Sequence, residues 1–230
     1  MTHDFKSAKQ KYEPYLQGAG FIPNSSKRQW IYDGKFYLIL LGLNPCSVGG
    51  FFTDIGIKFL WGNPENGYEF YDSPHGRIVI NATRQYSGAI LYESQNFEAE
   101  IDETIQQLLL QIEEYKKLSD LNYLAEKLFN RRDLFWSCHQ DDCNLADFNL
   151  GVVQMLRGNC DEAKTIFKYI HHEKTDRSKV CLQYCDSVES FKGYITQKII
   201  ENRALYAVKY KYRLPVIEEI FPACFYDARV

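Results

Sequence analysis

The chain carries little net charge and no long apolar segment. Its 230 residues include 27 Lys and Arg against 30 Asp and Glu, which gives a formal net charge of -3. Without a basic surplus, or a stripe of Lys and Arg interleaved with aromatic residues, nucleic acid is not an expected partner. No apolar run approaches the roughly 20 residues that span a bilayer, and the N-terminus lacks the apolar core of a signal peptide. We therefore expect a cytoplasmic protein without a membrane partner.

The sequence contains no complete catalytic or cofactor-binding motif. The segment Ser47-Val48-Gly49-Gly50 offers consecutive backbone N–H groups to an anion, as an anion-binding nest does. It lacks the lysine of a P-loop and the third glycine of a dinucleotide-binding motif, so a tight connection between strands is the favoured interpretation. We expect no cofactor and favour a protein that is not an enzyme.

The seven cysteines lack the spacing of a metal site or a disulfide framework. An odd number of cysteines without an export signal favours reduced, mostly buried thiols. Zinc prefers Cys and His ligands, and the residues of these types that lie closest along the chain are Cys138, His139, Cys143, His171, His172, Cys181 and Cys185. Because none of them forms the tight two-residue pair of a zinc knuckle, we predict structural thiols and no metal.

Aromatic residues, by contrast, make up 15% of the chain, and its character changes near Ser94. The residues before Ser94 are rich in aromatics, glycine and strand-like alternation, whereas those after it show helical periodicity. A helix followed by an antiparallel sheet is an α+β arrangement. We predict an α+β module with an antiparallel sheet over residues 1–94. An α-helical module is predicted over residues 95–230, with a C-terminal tail that packs back onto the body.

The first module is predicted to begin with a helix. Thr2 is its predicted cap, and Pro14 predicts a kink or an early end. Apolar residues at three- and four-residue steps define its stripe, namely Phe5, Ala8, Tyr12 and Leu16.

Strands are predicted after this helix. Residues 29–32 and 35–41 flank Asp33-Gly34, where the glycine permits the positive φ of a type I′ turn. The second of these strands is apolar on both faces, which predicts a central position. Residues 51–60 alternate, so we expect one face to be buried and the other partly wet. One or two further strands are predicted over residues 77–83 and 89–92.

The order of these features resembles a known bacterial family. An N-terminal helix and Gly20-Phe21 precede an aromatic strand at Trp30, and Leu43-Asn44 then leads through Gly49-Gly50-Phe51 to Asp54-Ile55-Gly56-Ile57. This order, over roughly residues 4 to 92, resembles the uncharacterised family known as domain of unknown function 4304. The resemblance implies a fold more than a function. Families of this kind are sometimes associated with toxin-immunity loci, which implies a binding protein.

The second module contains one segment that is similar to a tetratricopeptide repeat. Leu150-Gly151, Gly158, Ala163 and Phe167 have the spacing at which small residues let two antiparallel helices approach closely, with the aromatic ring between them. One copy is found, whereas about three stack into a stable groove. An ordinary helical hairpin with a glycine turn is the favoured interpretation, and an interaction scaffold is the alternative.

The segment from residue 61 to 77 provides the candidate partner-binding residues. Trp61, Tyr68 and Tyr71 combine large rings with an irregular backbone suited to recognition, although these rings serve equally well as core residues. His75 and Arg77 add polar groups, with a solvated turn histidine as the alternative.

We therefore predict a non-catalytic protein-binding module, of the immunity type that the resemblance implies, with a protein partner. The first alternative is a small-molecule-binding protein or enzyme with its site between the two modules. A helical adaptor with an accessory sheet is the third hypothesis.

Overall fold

The computed structural model describes residues 4–24, 28–62, 78–80, 88–134, 140–172, 176–209, 211, 213–217 and 219–221. An N-terminal helix is followed by an antiparallel sheet and then by a series of helices, so the predicted α+β class is confirmed. The helices are α1 (Phe5–Gly18), α2 (Phe97–Lys116), α3 (Leu121–Leu134), α4 (Gln140–Leu156), α5 (Cys160–His172), α6 (Asp176–Gln183) and α7 (Val188–Lys209). The strands are β1 (Ile22–Pro23), β2 (Gln29–Asp33), β3 (Tyr37–Cys46), β4 (Gly50–Phe59), β5 (Ile78–Ile80) and β6 (Ile90–Leu91).

The sheet is antiparallel throughout, in the order β1-β2-β3-β4-β5, with β6 also paired to β4. Strand β3 lies between β2 and β4, which confirms its predicted central position. Its pairing with β4 runs from Tyr37 opposite Phe59 to Cys46 opposite Gly50. Gly50 is required where β6 approaches, because a side-chain carbon there would collide with the backbone of Ile90.

Helix α1 differs from its prediction in its N-terminal cap and in its length. Asp4 is the cap: its carboxylate accepts a 2.8 Å hydrogen bond from the backbone N–H of Ser7 in a capping box. Thr2 lies outside the described residues. The early end predicted from Pro14 is wrong, because the helix continues to Gly18. Burial of the stripe on both sides of the proline stabilises the helix, and the Tyr12 hydroxyl lies 2.8 Å from Thr53 Oγ1.

The predicted hairpin is present, but its turn has another geometry. Lys35, not Gly34, adopts the positive φ, at 71°, so the positive φ predicted for the glycine is wrong. The Asp33 carboxylate accepts a 2.9 Å hydrogen bond from the Lys35 backbone N–H and stabilises this loop. Glycine is needed at position 34 because a Cβ atom there would collide with the ring of Tyr37.

Strand β4 is buried on both faces, so the partly wet face predicted from its alternation is wrong. Asp54 is fully buried and Lys58 is 3% exposed. Asn44 Nδ2 donates a 2.8 Å hydrogen bond to Asp54 Oδ2. Gly42, opposite Asp54 in the register, leaves the space for this pair, because a Cβ atom there would lie 2.8 Å from Asp54 Oδ1. A hydrogen bond within the protein thus takes the place of water at Asp54 Oδ2.

The contacts divide the chain into two compact units. The first unit comprises Met1–Phe59, Pro64–Lys116 and Leu205–Pro215, and the second comprises Leu60–Asn63, Lys117–Ala204 and Val216–Val230. This division groups α2 with the sheet, whereas the sequence prediction placed the boundary at residue 94. Within the first unit, the ring of Phe97 lies edge-on to that of Phe51, with the centroids 6.5 Å apart.

The second unit contains the predicted helical hairpin as α4 and α5. Gly158 has a φ of 87° at the turn between them, a conformation that glycine adopts readily. The ring of Phe167 lies against Gly151, where a Cβ atom would come within 2.6 Å of the ring. In the same unit Phe221 is buried at the end of the described chain, and Phe225 and Tyr226 of the predicted tail lie outside the described residues.

Candidate functional site

Trp61 is the one predicted partner-binding residue that the structure describes. Its side chain is 4% exposed, and its Nε1 donates a 2.9 Å hydrogen bond to Asn149 Oδ1. Trp61 therefore takes the core role that was the alternative to an exposed anchor. The other candidates, Tyr68, Tyr71, His75 and Arg77, lie outside the described residues.

A second asparagine holds the same segment. Asn202 Nδ2 donates hydrogen bonds to the backbone carbonyls of Leu60, at 2.6 Å, and Gly62, at 2.8 Å. Asn202 lies on α7 and Asn149 on α4, so both partners are distant in sequence. No local pattern predicts such contacts, so the sequence alone left both a partner-binding role and a core role open for Trp61.

Exposed aromatic side chains occur instead beside α7. The rings of Tyr184 and Tyr194 stack face to face, with their centroids 4.4 Å apart and their planes within 8°. Tyr184 is 36% exposed, and Tyr194 is half-buried. We name Tyr184, Tyr194, Gln197, Lys198 and Glu201 the tyrosine patch.

A row of buried rings packs behind this stacked pair, on the side of the core. The centroid of Tyr194 is 6.5 Å from that of Phe191, which is 6.1 Å from that of Phe167. Phe148 continues the row, 6.0 Å from Phe167. The row connects α4, α5 and α7. A surface ring that packs on a fixed core loses little further freedom when a partner binds.

The polar side of the tyrosine patch is organised by Glu201. Its carboxylate lies 2.8 Å from Lys198 Nζ and accepts a 3.2 Å hydrogen bond from Gln197 Nε2. The Lys198 ammonium, followed by the Gln197 amide, lowers the pKa of Glu201. Burial raises the pKa of Tyr194 to about 12, so its hydroxyl keeps its proton at neutral pH. The patch thus offers one neutral aromatic surface beside a paired acid and base.

The outward side of α7 also carries an exposed apolar residue and a shallow groove outside the tyrosine patch. Its inward stripe of Phe191, Ile195 and Ile199 is buried, whereas Ile200 on the opposite side is 50% exposed. An open, shallow groove adjoins it, lined by Glu189, Lys192, Gly193 and Thr196.

The structure describes the side chains of two of the candidate metal ligands, Cys181 and Cys185. Cys185 Sγ donates a 3.1 Å hydrogen bond to the carbonyl of Cys181, and burial raises the pKa of Cys185 to about 11. Among the side chains that the structure describes, no group of three or more His, Cys, Asp or Glu is arranged to hold a metal ion. The remaining candidates of the sequence analysis fall outside those side chains, so the absence of a metal stays a prediction.

The tyrosine patch is not predictable from a local sequence motif. Tyr184 and Tyr194 are ten residues apart, and the turn that follows α6 brings them together. An aromatic residue on the polar side of a helix, as Tyr194 is on α7, is the sequence signal that could have indicated this surface.

No protein-family model, curated protein or solved structure matches the chain. The resemblances of residues 4 to 92 and of the α4–α5 hairpin to known families therefore remain predictions. Within the described part of the chain, no helix is both long enough and apolar enough to span a membrane.

Proposed function

We propose that this chain is a non-catalytic protein-binding module of the cytoplasm and that the tyrosine patch belongs to its binding surface. The observation that carries the proposal is the exposed Tyr184–Tyr194 stack, supported by the buried row of rings. Binding of the immunity type is the form of this function that the family resemblance implies.

The Tyr184–Tyr194 stack offers a partner a large aromatic surface that is already ordered. Tyrosine is enriched among the residues that dominate binding energy, because it buries a large ring at a low cost in conformational entropy. Stacking on Tyr194 already restricts Tyr184 before a partner arrives. The Lys198–Glu201 pair supplies a polar rim that fixes orientation more than affinity.

Affinity capture from native cells, with mass spectrometry, tests this proposal. We expect Tyr184→Ala to weaken capture of a specific protein partner by at least about tenfold, since hot-spot truncations cost about 2 kcal/mol or more. The matched control is Tyr169→Ala on α5, because Tyr169 is 58% exposed and lies outside the tyrosine patch. Thermal unfolding of both variants should stay close to that of the parent chain.

Two outcomes would contradict the proposal. Equal loss of capture in both tyrosine variants would show that the tyrosine patch has no special role. If instead no partner were captured and a metabolite raised the melting temperature in a ligand screen, the small-molecule hypothesis would replace protein binding.

A further inference from the structure

The tyrosine patch presents one aromatic face outward. Tyr194 covers one face of the Tyr184 ring, with the centroids 4.4 Å apart and the planes within 8°. Because stacking covers that face, the exposed part of the Tyr184 ring is its outer face and its edge. The face of an aromatic ring carries the negative part of its quadrupole, so it attracts a cation.

A comparable ring of this chain already carries its own cations. Lys127 Nζ lies 5.0 Å from the ring centroid of Tyr123, and Lys117 Nζ lies 6.0 Å from it. Among the residues that the structure describes, no Lys or Arg lies over the rings of Tyr184 and Tyr194. The outer face of the stack is therefore open to a cation from another molecule.

An acid lies next to this stack. Gln197, Lys198 and Glu201 follow Tyr194 at steps of three, four and seven residues, so they lie on the same side of α7 as its ring. Contacts with Gln197 and Lys198 hold the Glu201 carboxylate about one helical turn from Tyr194. Burial raises the pKa of Tyr194 most, and the negative charge of Glu201 raises it further.

Lys198 shares the carboxylate of Glu201 without filling it. The Lys198 and Glu201 side chains are 42% and 48% exposed, and an exposed pair of this kind contributes little stability. A carboxylate accepts about four hydrogen bonds, whereas this one is contacted by Lys198 and Gln197 alone among the described residues. Arginine suits such a site better than lysine, because its planar guanidinium both stacks on a ring and forks to a carboxylate.

We infer that the tyrosine patch binds a basic segment of its protein partner, with one arginine over the outer face of Tyr184 and another at the Glu201 carboxylate. Charge complementarity of this kind selects the partner and speeds its association. The inference rests on the proposed function and deepens it, since it names the chemistry of the partner.

A labelled hexa-arginine peptide, titrated at low salt with the full-length chain and followed by fluorescence anisotropy, tests the inference. We expect Tyr184→Ala to weaken binding about two- to fivefold, the range of an exposed cation–π contact, and Tyr184→Phe to bind like the parent chain. Glu201→Gln should weaken binding by a similar factor. The matched controls, Tyr169→Ala and Glu103→Gln, remove an exposed tyrosine and an exposed acid outside the tyrosine patch.

Lys198 distinguishes a basic ligand from an acidic one. We expect Lys198→Ala to tighten hexa-arginine binding about two- to fivefold, because it removes a like charge and a competitor for Glu201. An acidic ligand would respond in the opposite sense. Hexaglutamate, the acidic counterpart of the probe, should not bind measurably.

The inference is overturned if hexaglutamate binds as well as hexa-arginine, if K198A weakens hexa-arginine binding, or if Y184A leaves it unchanged. Equal effects of E201Q and E103Q would also overturn it, because they would show attraction to the net charge of the chain. If a captured partner is lost in Y184A but is not displaced by excess hexa-arginine, the proposed function stands and the inference fails. If hexa-arginine binds as expected and no protein is captured, the arginine site is supported and the proposed function fails.

Discussion

The indole Nε1 of Trp61 donates a 2.9 Å hydrogen bond to Oδ1 of Asn149, and both side chains are buried. We expect Asn149→Leu to lower the free energy of unfolding by about 1–3 kcal/mol, because it leaves the indole N–H buried without its acceptor. Urea denaturation followed by Trp fluorescence measures this loss.

The matched double variant separates the hydrogen bond from packing. Trp61→Phe combined with N149L removes donor and acceptor together, so its loss should be smaller than the sum of the two single losses. Strict additivity would show that the hydrogen bond contributes nothing.

Gly151 and Phe167 provide a second test, of packing between α4 and α5. We expect Gly151→Ala to cost roughly 1–3 kcal/mol, because a Cβ atom would come within 2.6 Å of the Phe167 ring. The matched control is Gly193→Ala, in a helix but with open space around it, which should gain about 0.5–1 kcal/mol. Equal effects of the two substitutions in denaturant unfolding would contradict close packing at Gly151.

Local sequence patterns predicted where the strands lie better than they predicted which strand residues are buried. The alternation in residues 51–60 identified β4, and the apolar run in residues 35–41 identified a central strand. Burial of Asp54 was not predictable, because it depends on Asn44 across the hairpin register and on the absence of a side chain at Gly42. Such contacts follow from strand pairing and not from sequence periodicity.

The candidate site was less predictable than the fold. Trp61 lies in a segment whose composition is typical of a recognition loop, yet its side chain is part of the core. Its indole donates a hydrogen bond to Asn149 on α4, and Asn202 on α7 donates to the backbone of the neighbouring Leu60. The Tyr184–Tyr194 stack forms only when α6 ends and α7 packs beside it, and neither tyrosine belongs to a motif. Surface and core aromatics have the same local sequence signature.

Cysteine alkylation tests the predicted structural thiols. Burial raises the pKa of Cys185 to about 11, and its Sγ donates to the Cys181 carbonyl. Since the thiolate is the reactive form, we expect iodoacetamide to modify the partly exposed Cys46 and Cys160 well before Cys181 and Cys185. Peptide mapping by mass spectrometry measures the order. Early modification of Cys185 in the folded protein would contradict this.

Alkaline pH should weaken the fold through its buried tyrosines. Burial raises the pKa of Tyr194 to about 12 and shifts the pKa values of Tyr12 and Tyr37 well upward. The unfolded chain then loses these protons near pH 10 while the folded chain keeps them. The free energy of unfolding is therefore not reduced by ionisation of these tyrosines below pH 10, and it falls as the pH rises from 10 towards 12. Urea midpoints across this range, with phenolate absorbance, measure it; a constant midpoint would contradict the prediction.

Helix α2 belongs to the same compact unit as the sheet. Helix α2 buries Phe97, Ile101, Ile105, Leu108 and Ile112. The Tyr37 hydroxyl donates to the Tyr115 carbonyl at 3.2 Å.

A fragment of residues 1–94 lacks this helix and exposes the apolar surface it covers, at a cost of about 1.5–3 kcal/mol for each large side chain left unburied. We expect residues 1–116 to keep a cooperative β signal in circular dichroism and residues 1–94 to aggregate or lose cooperativity. Equal behaviour of the two fragments, or failure of the longer one, would show that α2 does not complete the sheet unit.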